Sequence, residues 1–352
     1  MSQRWKPALC ALALSILITA CSQEVVTDPP PQPNKSATPP GPQQPQQPAA
    51  PAYAYTAPFT GMGTNQKLEG RPIMVMVNNH PYARPQSGLD KADIVYEVLA
   101  EGEVTRFLAI YHSQKPEVIG PVRSIRPYFI EIGTGFDAFL IHAGGSPEAL
   151  ETLAYADYGN INEISNGAYF WRVKFRKAPH NLYTDLDKIN QAISAKGMRT
   201  TTELPSLPFL PANSEIKEGQ PATKIDVTYH TLYKAAYQYD AASKKYLRFT
   251  DGKPHLDLTT NQQLSVTNLL VIATRHRVLD NEGRRDVDVV GPGDGYLFQQ
   301  GKAKKVKWVR KNGVIRVYED AGLTKELPLL PGNTWINIVP NMPGLASAVK
   351  FQ

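Results

Sequence analysis

Between residues 22 and 60 fall 11 of the chain's 30 prolines, and that crowding decides where folding can take place. Proline fixes φ and removes a backbone donor, so no helix or central strand survives the runs Pro29-Pro30-Pro31 and Gln43-Gln44-Pro45-Gln46-Gln47-Pro48. The few apolar residues there are mostly alanine and follow no period. The segment reads as a spacer with polyproline character, rising about 3.1 Å per residue where extended and reaching on the order of 100 Å. A globular fold has to come from the residues beyond it. Hydrophobic residues make up 42% of the 352-residue chain, enough for about two domains with cores of their own.

Upstream of the spacer lies an address. Arg4 and Lys6 form a positive start, and Ala8 to Ile18 form an apolar stretch shorter than the about 20 residues a membrane helix needs. Residues 1–20 therefore read as a signal peptide. Leu17-Ile18-Thr19-Ala20-Cys21 resembles a bacterial lipobox, and that resemblance implies acylation of Cys21, which becomes the new N-terminus after cleavage. Residues 21–60 are then a lipidated cysteine and a Pro/Gln-rich tether. Loss of Arg4 and Lys6 leaves 36 basic against 32 acidic residues, a net +4 in place of +6, too little to hold a membrane surface without lipid. The expected location is the cell membrane, lipid-anchored on the extracytoplasmic side; Ser22 after the cysteine would favour the outer membrane in a Gram-negative cell. No block of like charges marks a nucleic-acid arm, so nucleic acid is not an expected partner. With 2 cysteines, Cys10 in the removed segment and Cys21 carrying lipid, a disulfide scaffold and a Cys-rich zinc module are both excluded.

Regular structure is expected from about Arg71. Ile73-Met74-Val75-Met76-Val77 is a continuous apolar run, the mark of a strand buried on both faces. Residues 92–98, 106–111 and 137–142 read as further strands, and Pro127 to Ile132 as a short helix opened by proline. Ser146-Pro147-Glu148 combines a cap, a first-turn proline and an acid, three agreeing signals of a helix start. Residues 66–200 are thus read as an α/β domain. Residues 201–222, with Pro205, Pro208, Pro211 and Pro221, form a connector. Residues 223–348 hold short strands at 225–229, 235–239, 246–249, 269–273, 305–309, 314–318 and 335–339, punctuated by Asp251-Gly252, Asn312-Gly313 and Pro331-Gly332. That is a mostly β domain built of hairpins. The expected class is α+β overall, an N-terminal α/β domain followed by a mostly β C-terminal one.

The blocks Asn78-Asn79-His80-Pro81, Ala83-Arg84-Pro85-Gln86-Ser87-Gly88-Leu89, Ala92 to Glu97, Thr105-Arg106-Phe107, Gly120-Pro121-Val122-Arg123-Ser124-Ile125-Arg126-Pro127, His142 to Ser146 and Ala178-Pro179-His180-Asn181 follow one another along the first half. Together they resemble the YerB family of bacterial lipoproteins. The later half is similar more loosely, through Gly291-Pro292-Gly293, Gly301, Trp308 and Pro331-Gly332-Asn333-Thr334-Trp335. At Glu101-Gly102-Glu103 the chain departs from the family, which commonly has a second glycine at 103. The family has no agreed activity, so the resemblance implies a fold and a location.

The residues themselves offer chemistry with two readings each. Arg123 and Arg126 flank Ser124 in a turn bounded by Gly-Pro, and guanidinium forks match carboxylates and phosphates. Gly144-Gly145-Ser146 opens a helix whose free N–H groups suit the same anion. The candidate ligand-binding set is therefore Arg123, Ser124, Arg126, Gly145 and Ser146, with Arg84 and Arg106 from the motif blocks. His142 and Glu97 are the candidates for general acid–base work. Alternatively Ser146 is only a helix cap, the arginines pair with Asp93, Glu97 or Glu101, and His142 is a satisfied strand-end residue. No Gly-x-Ser-x-Gly, His-Glu-x-x-His or phosphate loop is present, and neither a metal nor a cofactor is expected. Gly291 to Gly295 reads as a turn, and the basic residues at 302, 304, 305, 307, 310 and 311 around Trp308 as a solvated hairpin face or, less simply, a site for a wall polyanion such as teichoic acid. The function expected is a non-catalytic accessory lipoprotein binding cell-wall polymer or a cell-wall synthesis protein. The alternative is an envelope enzyme acting on an anionic glycan or peptide.

Overall fold

The computed structural model describes residues 53–231 and 233–352. The expected signal peptide, Cys21 and the tether up to residue 52 lie outside the described residues. Where description begins, the chain is already folded: Tyr55–Thr56 pairs with Gly63–Thr64, and Phe59 is buried edge-on against Phe136, ring centroids 5.3 Å apart. Order thus starts well before Arg71, and residues 55–60 belong to the fold, not to the tether. Their few aromatic and alanine side chains are enough to seat them in a core that others build.

The apolar run at residue 73 becomes β1 (Ile73–Asn78), and β2 (Ile94–Glu101) and β3 (Val104–Tyr111) form a hairpin across Gly102. Next come α1 (Pro127–Thr134), β4 (Phe139–His142), α2 (Pro147–Tyr155), β5 (Asn160–Asn162) and α3 (Leu186–Ala195). The later half supplies β6 (Lys224–His230), β7 (Tyr233–Asp240), β8 (Lys245–Thr250) and β9 (Asn268–Thr274). It continues with β10 (Gly293–Gln299), β11 (Lys302–Lys311), β12 (Val314–Tyr318), β13 (Thr334–Pro340) and β14 (Val349–Phe351). The molecule is α+β.

An 11-stranded mixed sheet runs β11-β10-β9-β13-β2-β3-β1-β4-β5, with β12 and the short Gln220–Pro221 strand paired to β11. Strand β13 lies between β9 and β2 and is parallel to both, with Ile94 opposite Thr334 and Glu97 opposite Asn337. One sheet therefore takes strands from both halves of the chain, and residues 51–352 form one compact unit. A second, 6-stranded sheet runs β8-β7-β6-β14, with the short strands Lys253–Pro254 and Ser265–Val266 both paired to β8. Its strand β6 alternates exposed and buried residues, whereas β1 is buried throughout, so the small sheet has one wet face and the large sheet is covered on both. Val75, Val77, Phe107, Val271 and Trp335 meet the small sheet and α3; Met74, Met76, Leu108, Ile272 and Ile338 meet α1 and α2 on the other face.

Gly293 and Gly295, expected from the sequence to form part of a turn, stand inside β10. A Cβ on Gly293 would strike the Trp308 indole, and one on Gly295 would come within 2.8 Å of the Val271 carbonyl. Glycine is there to let strands close around a buried tryptophan. Three of the six basic residues beside Trp308 are paired: Lys304 with Glu319, Lys307 with Asp294 and Arg310 with Glu131.

Candidate functional site

The seam between the two sheets carries a fully buried ion pair. Glu97 of β2 and Arg248 of β8 meet at 2.8 Å, and both side chains are wholly excluded from solvent. A charge pair in a core survives only where hydrogen bonds complete it. Here the Tyr233 and Thr105 hydroxyls donate to Glu97 Oε1 at 2.7 and 2.9 Å, and Asn79 Nδ2 donates to it at 3.2 Å. Arg248 lies over the Trp335 ring at 4.5 Å, donates to the Tyr237 hydroxyl, and points Nε at His255 Nδ1, 3.1 Å away. Tyr229 and Tyr237 close the set on Asn337 Oδ1 at 2.9 and 3.1 Å. Burial drives His255 well below the usual histidine range, helped by Arg248 and Arg84. Burial also opposes the charge on Arg248, yet Glu97 and the surrounding tyrosines keep that guanidinium firmly protonated.

Other candidates from the sequence resolve into separate places. Arg126 and Arg106 are not a clamp partner of Arg123: both turn to the carboxylate of Glu101, Arg106 Nη2 at 2.6 Å from Oε2. The Ser124 carbonyl accepts from Arg106 Nη1 at 2.9 Å. Ser146 caps α2, its hydroxyl accepting from the Ala149 N–H at 3.4 Å, and its own N–H donates to the Ile125 carbonyl. Gly145 packs where a Cβ would meet Ile125 and Leu150 within about 3 Å. His142 is completely buried; its Nδ1 faces the Gly144 carbonyl at 2.8 Å, and burial lowers its pKa. Glu97 and His142 therefore occupy interior positions with no solvent contact.

Arg123 is different. Its guanidinium is half-buried and makes no hydrogen bond or ion pair among the described residues, and burial alone lowers its pKa, with no carboxylate acting on it. Its backbone runs beside the end of β1, the Arg123 N–H donating to the Met76 carbonyl and the Asn78 N–H to the Pro121 carbonyl, both at 2.8 Å, and the Asn78 side chain in turn meets His180 Nδ1 at 2.9 Å, so two histidines share its surroundings. His80 follows β1 in the Asn78-Asn79-His80-Pro81 block, and His180 sits in the Ala178-Pro179-His180-Asn181 loop; their rings stack at 4.4 Å with planes 19° apart. Tyr82, 75% exposed, tilts against the His80 ring at 5.1 Å and meets the His180 ring edge-on at 5.9 Å. Burial lowers both histidine pKa values, reinforced at His80 by Arg84 and Arg123 and at His180 by His80, Arg123 and Arg176. Arg84 holds the loop by donating to Asn79 and to Asp251 Oδ2 at 2.6 Å, and Arg176 donates to the Ala83 carbonyl at 2.8 Å and to the Tyr183 hydroxyl at 2.7 Å. The result is a basic, partly exposed patch whose cations outnumber its carboxylates. Sequence reasoning gave His80 and His180 no role, because 100 positions separate them and no spacing rule joins them. The signal available was their presence in two motif blocks. Clefts of about 460 and 440 Å³ lie elsewhere, the first lined by Leu210, Leu297 and Leu327, the second by Tyr237 and Phe249.

Residues 59–199 match the family described as a protein of unknown function (DUF3048), N-terminal domain, and residues 225–336 match its C-terminal domain. The chain belongs to this family, the YerB family. It is 43% identical over 306 residues to YerB of Bacillus subtilis (strain 168), whose name classes it as a lipoprotein; the match covers 85% of this chain and 91% of that one. The crystal structure of the Bacillus subtilis YerB protein superposes with a TM-score of 0.77 at 40% identity, over 85% of this chain and 99% of that chain.

Proposed function

We propose that this chain is a lipoprotein acylated at Cys21 and held on the extracytoplasmic side of the cell membrane. There its folded unit acts as a non-catalytic binding module for cell-wall polymer or for a cell-wall synthesis protein. The lipobox-like Leu17–Cys21, the proline-rich spacer and the lipoprotein name of the relative support the location. Arg123 carries the binding role: its guanidinium has no protein partner among the described residues and is open enough to solvent for an anionic ligand to reach it. Interior placement of Glu97 and His142 favours binding over proton transfer, since a general acid or base must reach its substrate within about 3 Å or through one water.

The test mixes the full chain with purified wall sacculi and follows both co-sedimentation and release of muropeptides by mass spectrometry. Co-sedimentation without release, weakened about tenfold or more by Arg123→Gln and unaffected by His142→Gln, is the expected outcome. Muropeptide release that disappears with His142→Gln would make the protein an envelope enzyme instead.

A further inference from the structure

His80 and His180 have their tautomers dictated by the backbone. His80 Nδ1 lies 3.2 Å from the Tyr82 backbone nitrogen, which can only donate, so Nδ1 accepts and the proton sits on Nε2. The Asn78 side chain is oriented in the same way: its Oδ1 accepts from the His80 N–H at 3.0 Å, which leaves the amide nitrogen facing His180 Nδ1 at 2.9 Å. His180 Nδ1 therefore also accepts. Both rings are left with Nε2–H as their free polar group, and neither Nε2 has a hydrogen-bond partner among the described residues. A neutral imidazole with Nδ1 engaged as acceptor has no lone pair on Nε2, so neither ring can bind a metal or take a proton there without breaking these contacts.

Resting on the binding role assigned to Arg123, we infer that His80 and His180 are fixed hydrogen-bond donors which, together with that arginine, recognise the oxygens of a phosphodiester. The placement of the donors selects that class. A carboxylate keeps its acceptor positions in one plane, where a guanidinium fork takes the facing two, whereas the unesterified oxygens of a phosphodiester in an anionic polymer or a lipid headgroup stand on a tetrahedral phosphorus and also accept from out-of-plane donors such as two stacked imidazole N–H groups. The exposed Tyr82 ring beside them gives the neighbouring sugar or glycerol carbons an apolar surface.

The full chain, labelled with 15N, allows the imidazole nitrogens to be read directly by NMR at pH 7, and bis(glycerol) phosphate is the probe. Both histidines are expected in the Nε2–H tautomer. The phosphodiester is expected to shift both Nε2 signals, while glucuronate at the same concentration leaves them in place. Arg123→Gln is expected to weaken the response about tenfold or more, and His180→Gln, which keeps an amide donor near Nε2, to retain more affinity than His180→Phe. An Nδ1–H tautomer in either ring, loss of the Nε2–H signals to micromolar zinc, or an equal response to glucuronate would overturn the inference. Sacculi with and without their phosphodiester polymers, compared with phosphatidylglycerol vesicles, distinguish the two sources of the group. If the imidazoles respond but no wall preparation binds, the envelope-wall reading fails and this one stands; wall binding through Arg123 with silent imidazoles means the reverse.

Discussion

Removing a single carboxylate oxygen at Glu97 leaves Arg248 charged and buried with its counter-ion gone. Glu97→Gln is expected to cost about 3–5 kcal/mol in urea unfolding, whereas Glu97→Leu combined with Arg248→Met recovers much of it, because no stranded charge remains. Arg123→Gln is the contrasting case. The side chain has no protein partner to lose, so its unfolding free energy is expected within about 1 kcal/mol of the parent even as ligand affinity drops. Arg106 and Arg126 look equivalent to Arg123 in the sequence, and the three separate only in space, where Glu101 neutralises the first two. The sequence motif blocks did contain His80, Arg84, Arg123 and His180 of the basic patch, though not Tyr82 or Arg176; what they lacked was any sign of which arginine goes unpaired.

Among the elements, α1 and the β11–β12 hairpin are fastened where two backbones touch. Asn312 and Gly313 form the hairpin turn with φ of 51° and 82°, and a Cβ on Gly135, just past α1, would run into the Gly313 carbonyl. Gly135→Ala is expected to destabilise by about 1–3 kcal/mol, measured by urea unfolding, since the neighbour is backbone and has little room to move. Ser146→Ala removes the cap of α2 and is expected to cost about 1 kcal/mol. Continuous apolar runs, alternating runs and the Ser-Pro-Glu helix start made most elements legible. Strand β10 escaped because its glycines look like a turn until Trp308 is seen filling the space beside them.

Taken whole, the described unit stands on pairings that cross from one half of the sequence to the other. A fragment ending at residue 200 would lose β13 from beside β2 and Arg248 from beside Glu97, so it is expected to lack cooperative unfolding by circular dichroism. Acid is expected to weaken the whole unit through its buried histidines. Burial lowers His142, His255 and His276, the last to about 3, with Arg285 adding to the effect. Each contributes stability that is complete above the unfolded value near 6.5 and is lost as pH falls toward the folded value. His276 alone accounts for up to about 2 kcal/mol between pH 7 and 5. Urea midpoints at the two pH values, with His276→Leu flattening the difference, check this. Asp93 and Asp257, raised by burial, act in the opposite sense at lower pH. The sequence by itself determined the α+β class, the family, and where strands buried on two faces alternate with strands buried on one, because period and turn chemistry are local. Only the tertiary structure decided that β13 inserts between β9 and β2, that Glu97 is sealed against Arg248, and that His80, His180 and Arg123 share one surface. Those outcomes depend on contacts between residues about 40 to 240 positions apart, and no local pattern encodes such contacts.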